Sequence, residues 1–273
     1  MCHEFTYTPV EPGSLTTLTL DPGQIDIWIG MVDETIESGV AKQLVRVLSE
    51  EERRQQARFL FEKDQRRYLV TRALVRYVLS RYVPLAPEQW RFGAAPHGRP
   101  FILNDVPQAK RLNFNISHSG QVVLMALTRD GQLGIDVEET GHNVAQTVAD
   151  HYFAAREIRQ LRAASPAEHA HRFLEFWTLK ESYIKARGMG LSIPLQKFGF
   201  ELGYSQELRA FFDPVLDDAP NNWTFWQWCP SVGSIGALCA RRCGVAHRIA
   251  ARRVVPFAWE ENILFDLLRV GGA

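Results

Sequence analysis

Residues 114–138 read FNISHSGQVVLMALTRDGQLGIDVE. Two apolar runs, 114–116 and 122–127, bracket the polar turn Ser117-His118-Ser119-Gly120, as two short strands would. A third strand is expected over 133–138. Successive strand residues alternate sides, so Ile135 and Val137 face a core while Asp136 and Glu138 share the opposite face. The strand rise puts those two carboxylates roughly 7 Å apart.

Upstream, residues 24–31 (QIDIWIGM) alternate apolar and polar side chains and read as a strand. Ser49 followed three residues later by Glu52 is a capping box, so a helix is expected from there to about residue 82, with a break near Asp64. Its packed stripes are Leu69, Ala73, Tyr77 and Leu74, Val78, Arg81. Residues 1–23 read as an irregular lead-in, and 84–111 as loop-rich around Pro96-His97-Gly98-Arg99-Pro100. Downstream, helices are expected over 144–162 and 172–187. Gly188 and Gly190 end the second, and Pro194 follows. Strands are expected over 198–202, 223–228 and 234–240, with one more in the tail at 248–255. Each half thus runs helix, loop, short strands. The expectation is an α+β chain of two similar lobes, divided into 1–130 and 131–273, with a site in the cleft between them.

The bulk composition narrows the partners. In 273 residues, Lys+Arg and Asp+Glu each total 31, so no global field draws the protein to nucleic acid or an anionic membrane. Any bound anion must be held by local charge. The four cysteines, Cys2, Cys229, Cys239 and Cys243, form neither a dense disulfide framework nor a paired zinc motif. The first residues lack a basic start followed by an apolar run, and no apolar stretch approaches the roughly 20 residues of a membrane helix. A soluble cytoplasmic protein is the expectation.

Three places carry candidate chemistry. Asp136 and Glu138 repel each other unless solvated or bridged by a cation, and a hard cation such as magnesium chooses carboxylate oxygens. On the later helix, Glu181 and Lys185 lie one turn apart at the edge of a stripe formed by Phe173, Phe176, Trp177 and Ile184. An ordinary i, i+4 ion pair is the plain reading of those two. Lys180 lies within the stripe and must snorkel or find a partner. The third place is anion-binding: Gly98-Arg99-Pro100, where glycine permits close backbone approach, and Ser117-His118 at a strand end. A Ser117–His118 nucleophile pair is disfavoured, because adjacent residues on an extended chain point apart. Arg53, Arg54, Arg58, Arg66, Arg67, Arg72 and Arg76 crowd one helical region, mostly as a solvated face.

In order and spacing, Gly98-Arg99-Pro100, Phe114-Asn115-Ile116-Ser117-His118-Ser119-Gly120, Gly134-Ile135-Asp136-Val137-Glu138 and Trp177-Thr178-Leu179-Lys180-Glu181-Ser182-Tyr183-Ile184-Lys185 together resemble the Sfp-type 4'-phosphopantetheinyl transferase family. The likeness covers about residues 45–205. It implies a pseudo-dimeric α+β fold, monomeric with an internal pseudo-two-fold, with coenzyme A in the cleft. It implies the activity of a holo-[acyl-carrier-protein] synthase: transfer of 4'-phosphopantetheine to a serine of an apo acyl or peptidyl carrier protein, releasing 3',5'-ADP. By the resemblance Asp136, Glu138 and Glu181 are magnesium ligands, Glu181 is also the general base, and Lys185 contacts the phosphates. Gly98, Arg99, Pro100, Ser117 and His118 match segments that hold the nucleotide end. The carrier would dock in the segment after Glu138 and around Tyr152-Phe153. Family members carry basic residues where this chain has Glu52 and Gln55, and Arg53 or Arg54 adjoins those places as a substitute. Two other readings stand beside this one: a non-enzymatic binding module for coenzyme A or a carrier, and another magnesium-dependent phosphoryl-transfer enzyme. The chain has neither a Walker-type phosphate loop nor a His-Arg-Asp element.

Overall fold

Two six-stranded sheets pack face to face, each with a long helix on its outer side, in a computed structural model that describes residues 8–9, 17–140, 146–264 and 266–272. The strands are β1 (Thr8–Pro9), β2 (Gln24–Met31), β3 (Phe92–Ala94), β4 (Pro100–Ile102), β5 (Asn113–Ser119), β6 (Val122–Thr128) and β7 (Leu133–Glu139), then β8 (Phe198–Leu202), β9 (Glu207–Phe212), β10 (Trp223–Trp228), β11 (Ser234–Arg241), β12 (Arg248–Val255), β13 (Trp259–Ile263) and β14 (Leu267–Gly272). The helices are α1 (Val32–Glu37), α2 (Ala41–Val47), α3 (Glu50–Ala57), α4 (Glu62–Ser80) and α5 (Pro107–Lys110), then α6 (Gln146–Tyr152), α7 (Ala155–Ala163) and α8 (His169–Arg187). The first sheet has the order β1-β13-β12-β2-β6-β5 and the second β7-β11-β10-β14-β9-β8. β3 and β4 form a separate hairpin.

Strand β6 shows why this stretch governs the fold. Val123, Met125 and Leu127 enter the core beneath α4, while Val122, Leu124 and Ala126 enter the core between the sheets. Both faces are covered, so the run is apolar throughout instead of alternating. In β7, Leu133, Ile135 and Val137 join the inter-sheet core. Gly134 lies on the opposite face, against α8, where an added Cβ would strike the Ser182 carbonyl oxygen and the Ala186 nitrogen. Only a residue without a side chain lets α8 come that close to the carboxylate strand.

The helical segments end where local chemistry ends them. The capping box forms, with Glu52 N donating to Ser49 Oγ at 3.1 Å and Ser49 N donating to Glu52 Oε2 at 2.8 Å. The break in the following helix comes over residues 58–61, ahead of Asp64, which lies inside α4. Gly188 takes a φ of 66°, the left-handed cap of α8. The expected helix over 144–162 is divided into α6 and α7, and its first residues lie outside the described set, as does most of the expected lead-in over 1–23.

Up to Arg241, the strands before residue 130 lie in the first sheet or the small hairpin and those after it in the second, and then the chain crosses back. β12 pairs in parallel with β2 and β13 pairs with β12, so residues 248–263 complete the first sheet, not the second. This return covers the edge of β2. It is held by Arg252 Nη1 donating to the fully buried Asp26 at 2.6 Å, with Tyr82 Oη donating to the same carboxylate at 2.5 Å. Among the described residues no helix is long and apolar enough to cross a membrane.

Candidate active site

The edge strands β5 and β7 lie side by side, and side chains bridge them where a backbone ladder would otherwise close the two sheets. Ile135 N donates to Asn115 Oδ1 at 2.9 Å, Ser117 Oγ donates to Asp136 Oδ1 at 2.9 Å, and Ser119 Oγ donates to Glu138 Oε2 at 3.0 Å. Asn115, Ser117 and Ser119 recur at a spacing of two, which places them on one face of β5. The motif Asn-x-Ser-x-Ser therefore meets Ile-Asp-x-Glu as a set of matched partners. Ser117 is a hydrogen-bond donor to a carboxylate here, and its neighbour His118 lies on the exposed side of the strand. The desolvation His118 does feel, followed by the charge of Arg67 and then that of Lys185, holds its imidazole below the ordinary value.

Helix α8 brings the second half of the chemistry. Lys185 Nζ donates to Asp136 Oδ1 at 2.6 Å and to Ser117 Oγ at 2.9 Å. Its partner is thus the strand carboxylate across the site, and not Glu181 one turn earlier on the same helix. Glu181 is pushed up to about 7, first by burial and then by the Asp136 charge, with Glu138 adding to the same effect against Lys185. Glu138 is also raised, by burial and then by Asp136. The Asp136 charge therefore disfavours the charged forms of both Glu138 and Glu181 beside a single ammonium.

Magnesium would be held by oxygen ligands. Asp136 Oδ2 is buried and has no hydrogen-bond partner among the described residues, and Glu138 and Glu181 are both disfavoured as free anions. The donor chemistry fits a hard cation. The expected convergence is nevertheless incomplete, because among the described residues no three His, Cys, Asp or Glu side chains are grouped closely enough to hold a metal ion. Lys185 and Ser117 already occupy Asp136 Oδ1, and Ser119 holds Glu138 Oε2, which keeps the carboxylates on these partners.

Glu181 and Lys185 open onto a cleft of about 1420 Å³ between the lobes. One wall is basic, with Arg54, Arg58, Arg72 and Arg91; the other carries Tyr152, Trp177, Glu181 and Lys185. The hairpin-tip residues Gly98, Arg99 and Pro100 line it as well. Ser117, His118, Asp136 and Glu138 are not among the lining residues; Lys185, which does line the cleft, bridges to Ser117 and Asp136. A basic wall facing a cluster of acids is the arrangement a polyanionic substrate needs if it is to be held at one end and reacted at the other.

A family model described as 4'-phosphopantetheinyl transferase, N-terminal, matches residues 38–129, and one described as the 4'-phosphopantetheinyl transferase superfamily matches residues 132–239. The 4'-phosphopantetheinyl transferase Sfp of Bacillus subtilis is 36% identical over 172 residues, which cover 63% of this chain and 74% of that protein. The chain belongs to the Sfp-type 4'-phosphopantetheinyl transferase family. The 4'-phosphopantetheinyl transferases psf-1 of Bacillus pumilus (34% identical; 76% of this chain, 85% of that one) and HetI of Nostoc (32%; 69% and 77%) are similar in the same way.

In this phosphopantetheinyl transferase the basic wall includes Arg54 and extends to Arg72 and Arg76. Arg54 lines the cleft but pairs with the exposed Glu50 at 2.7 Å, and Arg53 donates to the Leu48 carbonyl at 2.9 Å. Its two members fixed by a shared carboxylate are Arg72 and Arg76, whose Nε atoms donate to Glu52 Oε1 at 2.7 Å and Oε2 at 2.9 Å. Burial alone would raise Glu52, but the charge of Arg72, the Ser49 backbone N–H and the charge of Arg76 hold it below the usual carboxylate range. One buried carboxylate thus fixes two guanidinium groups and leaves a net positive charge. The i, i+4 spacing of Arg72 and Arg76 was the signal that they share a helix face. Lys180 is fully buried, and its partner is Glu157 of α7 at 2.9 Å, with the Leu195 and Phe198 carbonyls accepting its other N–H groups. It anchors α7 to α8 and stays out of the cleft. At the expected docking segment, Tyr152 lines the cleft but Phe153 is buried in the second core, and residues 141–145 lie outside the described set.

Proposed function

We propose that this 4'-phosphopantetheinyl transferase binds coenzyme A along the cleft, nucleotide end against the arginine wall, and uses Glu181 and Lys185 to pass the phosphopantetheine arm to a carrier-protein serine. The serine Oγ forms a bond to the β-phosphorus while the bond from that phosphorus to the bridging oxygen breaks, and 3',5'-ADP leaves. Glu181 takes the hydroxyl proton. A carboxylate held near 7 is matched to that task at neutral pH, whereas an ordinary one is a weaker base. Lys185 directs its ammonium at the charge that develops on the departing phosphate. Reaching the substrate requires it to share or release its bond to Asp136. The attacking hydroxyl belongs to the partner, so this chain needs no nucleophile of its own.

Asp136, Glu138 and Glu181 are the residues that would hold magnesium. When bound, the ion would neutralise pyrophosphate charge and align its oxygens. Gly98 and Pro100 shape the loop at the nucleotide end, with Gly98 at a φ of 80°. His118 and Arg67 are candidates for a terminal phosphate: they lie near enough for the Arg67 charge to disfavour the charged imidazole, and a bound anion would relieve that opposition. We further infer a monomer whose two lobes, divided near residue 130, mimic a dimer, working in the cytoplasm on apo acyl or peptidyl carrier proteins.

The observation that carries this reading is the position of Glu181: raised to about 7 beside two further acids and opening on the same cleft as the arginine wall. The test is incubation with coenzyme A, magnesium and a panel of apo carrier proteins, followed by intact-mass measurement. A gain of one phosphopantetheine on a carrier supports the reading. Turnover of ATP with no such gain would support a different phosphoryl-transfer enzyme, and coenzyme A binding alone a non-enzymatic module.

A further inference from the structure

We propose that Arg99 is a positioning residue for the transfer reaction: its guanidinium clamps the C-terminal end of α8, and with it Lys185, onto the strand that carries Asp136. The reaction rests on the function proposed above; the clamp itself rests on geometry alone. Arg99 Nη1 donates to the carbonyl oxygens of Lys185 at 2.9 Å and Ala186 at 3.3 Å. Its Nη2 donates to the carbonyls of Leu133 at 3.2 Å and Phe114 at 3.5 Å. One side chain from the cleft hairpin thus touches the first residue of β7, the second of β5 and the last turn of α8.

The carbonyls it meets are those left over. The last four C=O groups of a helix have no acceptor role within it unless a cap supplies a donor. At the end of α8, Gly188 N supplies Ile184 O and, at 3.3 Å, Lys185 O. Arg99 supplies Lys185 O a second time and Ala186 O as well. Lys185 is therefore held at both ends, its carbonyl by Arg99 and its ammonium by Asp136 and Ser117. Burial lowers the Arg99 guanidinium from its ordinary value, and carbonyl dipoles stand around it in place of water.

The same loop grips the far side of the helix end independently. Ala95 N donates to Arg99 O at 2.9 Å and Gly98 N to Ala95 O at 2.8 Å, closing a tight turn. At Gly190, just past the α8 cap, an added Cβ would lie 3.1 Å from His97 Cβ. The hairpin tip therefore sits against the α8 terminus at two points while also lining the cleft. Arginine suits this clamp and lysine does not, because the flat fork reaches carbonyls on both sides at once.

The experiment compares wild type with Arg99→Lys and Arg99→Met, reading kcat, coenzyme A affinity by calorimetry, and amide exchange at Gly188. The clamp predicts that kcat falls by about tenfold in Arg99→Lys and about a hundredfold in Arg99→Met. It predicts that coenzyme A affinity stays within about threefold, and that Gly188 exchanges faster in both. A loss of coenzyme A affinity of about tenfold or more, with kcat at saturation and Gly188 exchange unchanged, would make Arg99 a nucleotide contact and overturn the proposal. Calorimetry and exchange need no carrier protein, so they report on the clamp even if the transfer reading fails. If Arg99→Met does not fold, Arg99→Lys alone decides.

Discussion

Lys185 Nζ lies 2.6 Å from Asp136 Oδ1, a bond that joins the end of a helix to a strand 49 residues away in sequence and ties the two halves of the site. Asp136 is almost wholly buried and keeps one carboxylate oxygen without a partner, so it depends on this ammonium and on Ser117. Lys185→Met removes the cation and strands the carboxylate. The fold should lose about 1–3 kcal/mol by chemical denaturation, and transfer should fall at least a hundredfold. Ser117→Ala, which removes one hydrogen bond, should cost about 1 kcal/mol.

Glu181 makes stability depend on pH. Its folded value of about 7 lies above the ordinary 4.5 of a glutamate, so the protonated form is the one the fold favours. Its contribution is fully present below the unfolded value and is lost as pH rises through about 7. Glu181→Gln should therefore raise the melting temperature in metal-free buffer at pH 8, and the gain should vanish at pH 5. An equal gain at both pH values would mean the site does not strain this carboxyl.

The same shift makes metal binding release protons. If magnesium is held by Asp136, Glu138 and Glu181, its addition at pH 7 should expel about half a proton or more, read by calorimetry in buffers of different ionisation enthalpy. The release should drop sharply in Glu181→Gln.

Lys180 and Glu157 are both fully buried and paired at 2.9 Å. Lys180→Met alone leaves an unpaired buried acid and should cost about 3–5 kcal/mol, whereas Lys180→Met with Glu157→Leu should recover only part of that loss, because the Ala154 and Phe200 backbone N–H groups also donate to the Glu157 carboxylate. Urea denaturation of the wild type and the two variants tests this. The double variant should retain transfer, since the pair lies outside the cleft.

Gly134 is a packing requirement. Gly134→Ala would push α8 away from β7 and should destabilise the fold by about 1–3 kcal/mol, with kcat reduced because Glu181 and Lys185 move away from Asp136.

Much of this was legible in the chain. The alternation in Ile135-Asp136-Val137-Glu138 placed the acids on one face of β7, and the apolar run over 122–127 marked the strand β6. The capping box at Ser49 forms as its spacing requires. What was illegible depends on contacts between distant segments. Nothing local says that β12 and β13 return to the first sheet, since a strand's pattern shows which face is buried and not which neighbour it pairs with. Lys180 announced that it needed a partner, but Glu157 looks like any polar residue of an amphipathic helix. Glu52 read as a cap alone, because the Arg72 and Arg76 that also claim it come 20 and 24 residues later. Arg99 read as a nucleotide contact; the carbonyls of Lys185 and Leu133 that its guanidinium also meets lie 86 and 34 residues away in sequence, beyond the reach of a local pattern.

The measurement that bears most directly on the account is intact-mass analysis of an apo carrier protein incubated with coenzyme A, magnesium and either wild type or Glu181→Gln, at concentrations that saturate both with coenzyme A. The account predicts rapid gain of one phosphopantetheine with wild type and a rate at least a hundredfold slower with the variant. Equal rates from the two proteins would remove Glu181 from the chemistry and contradict it.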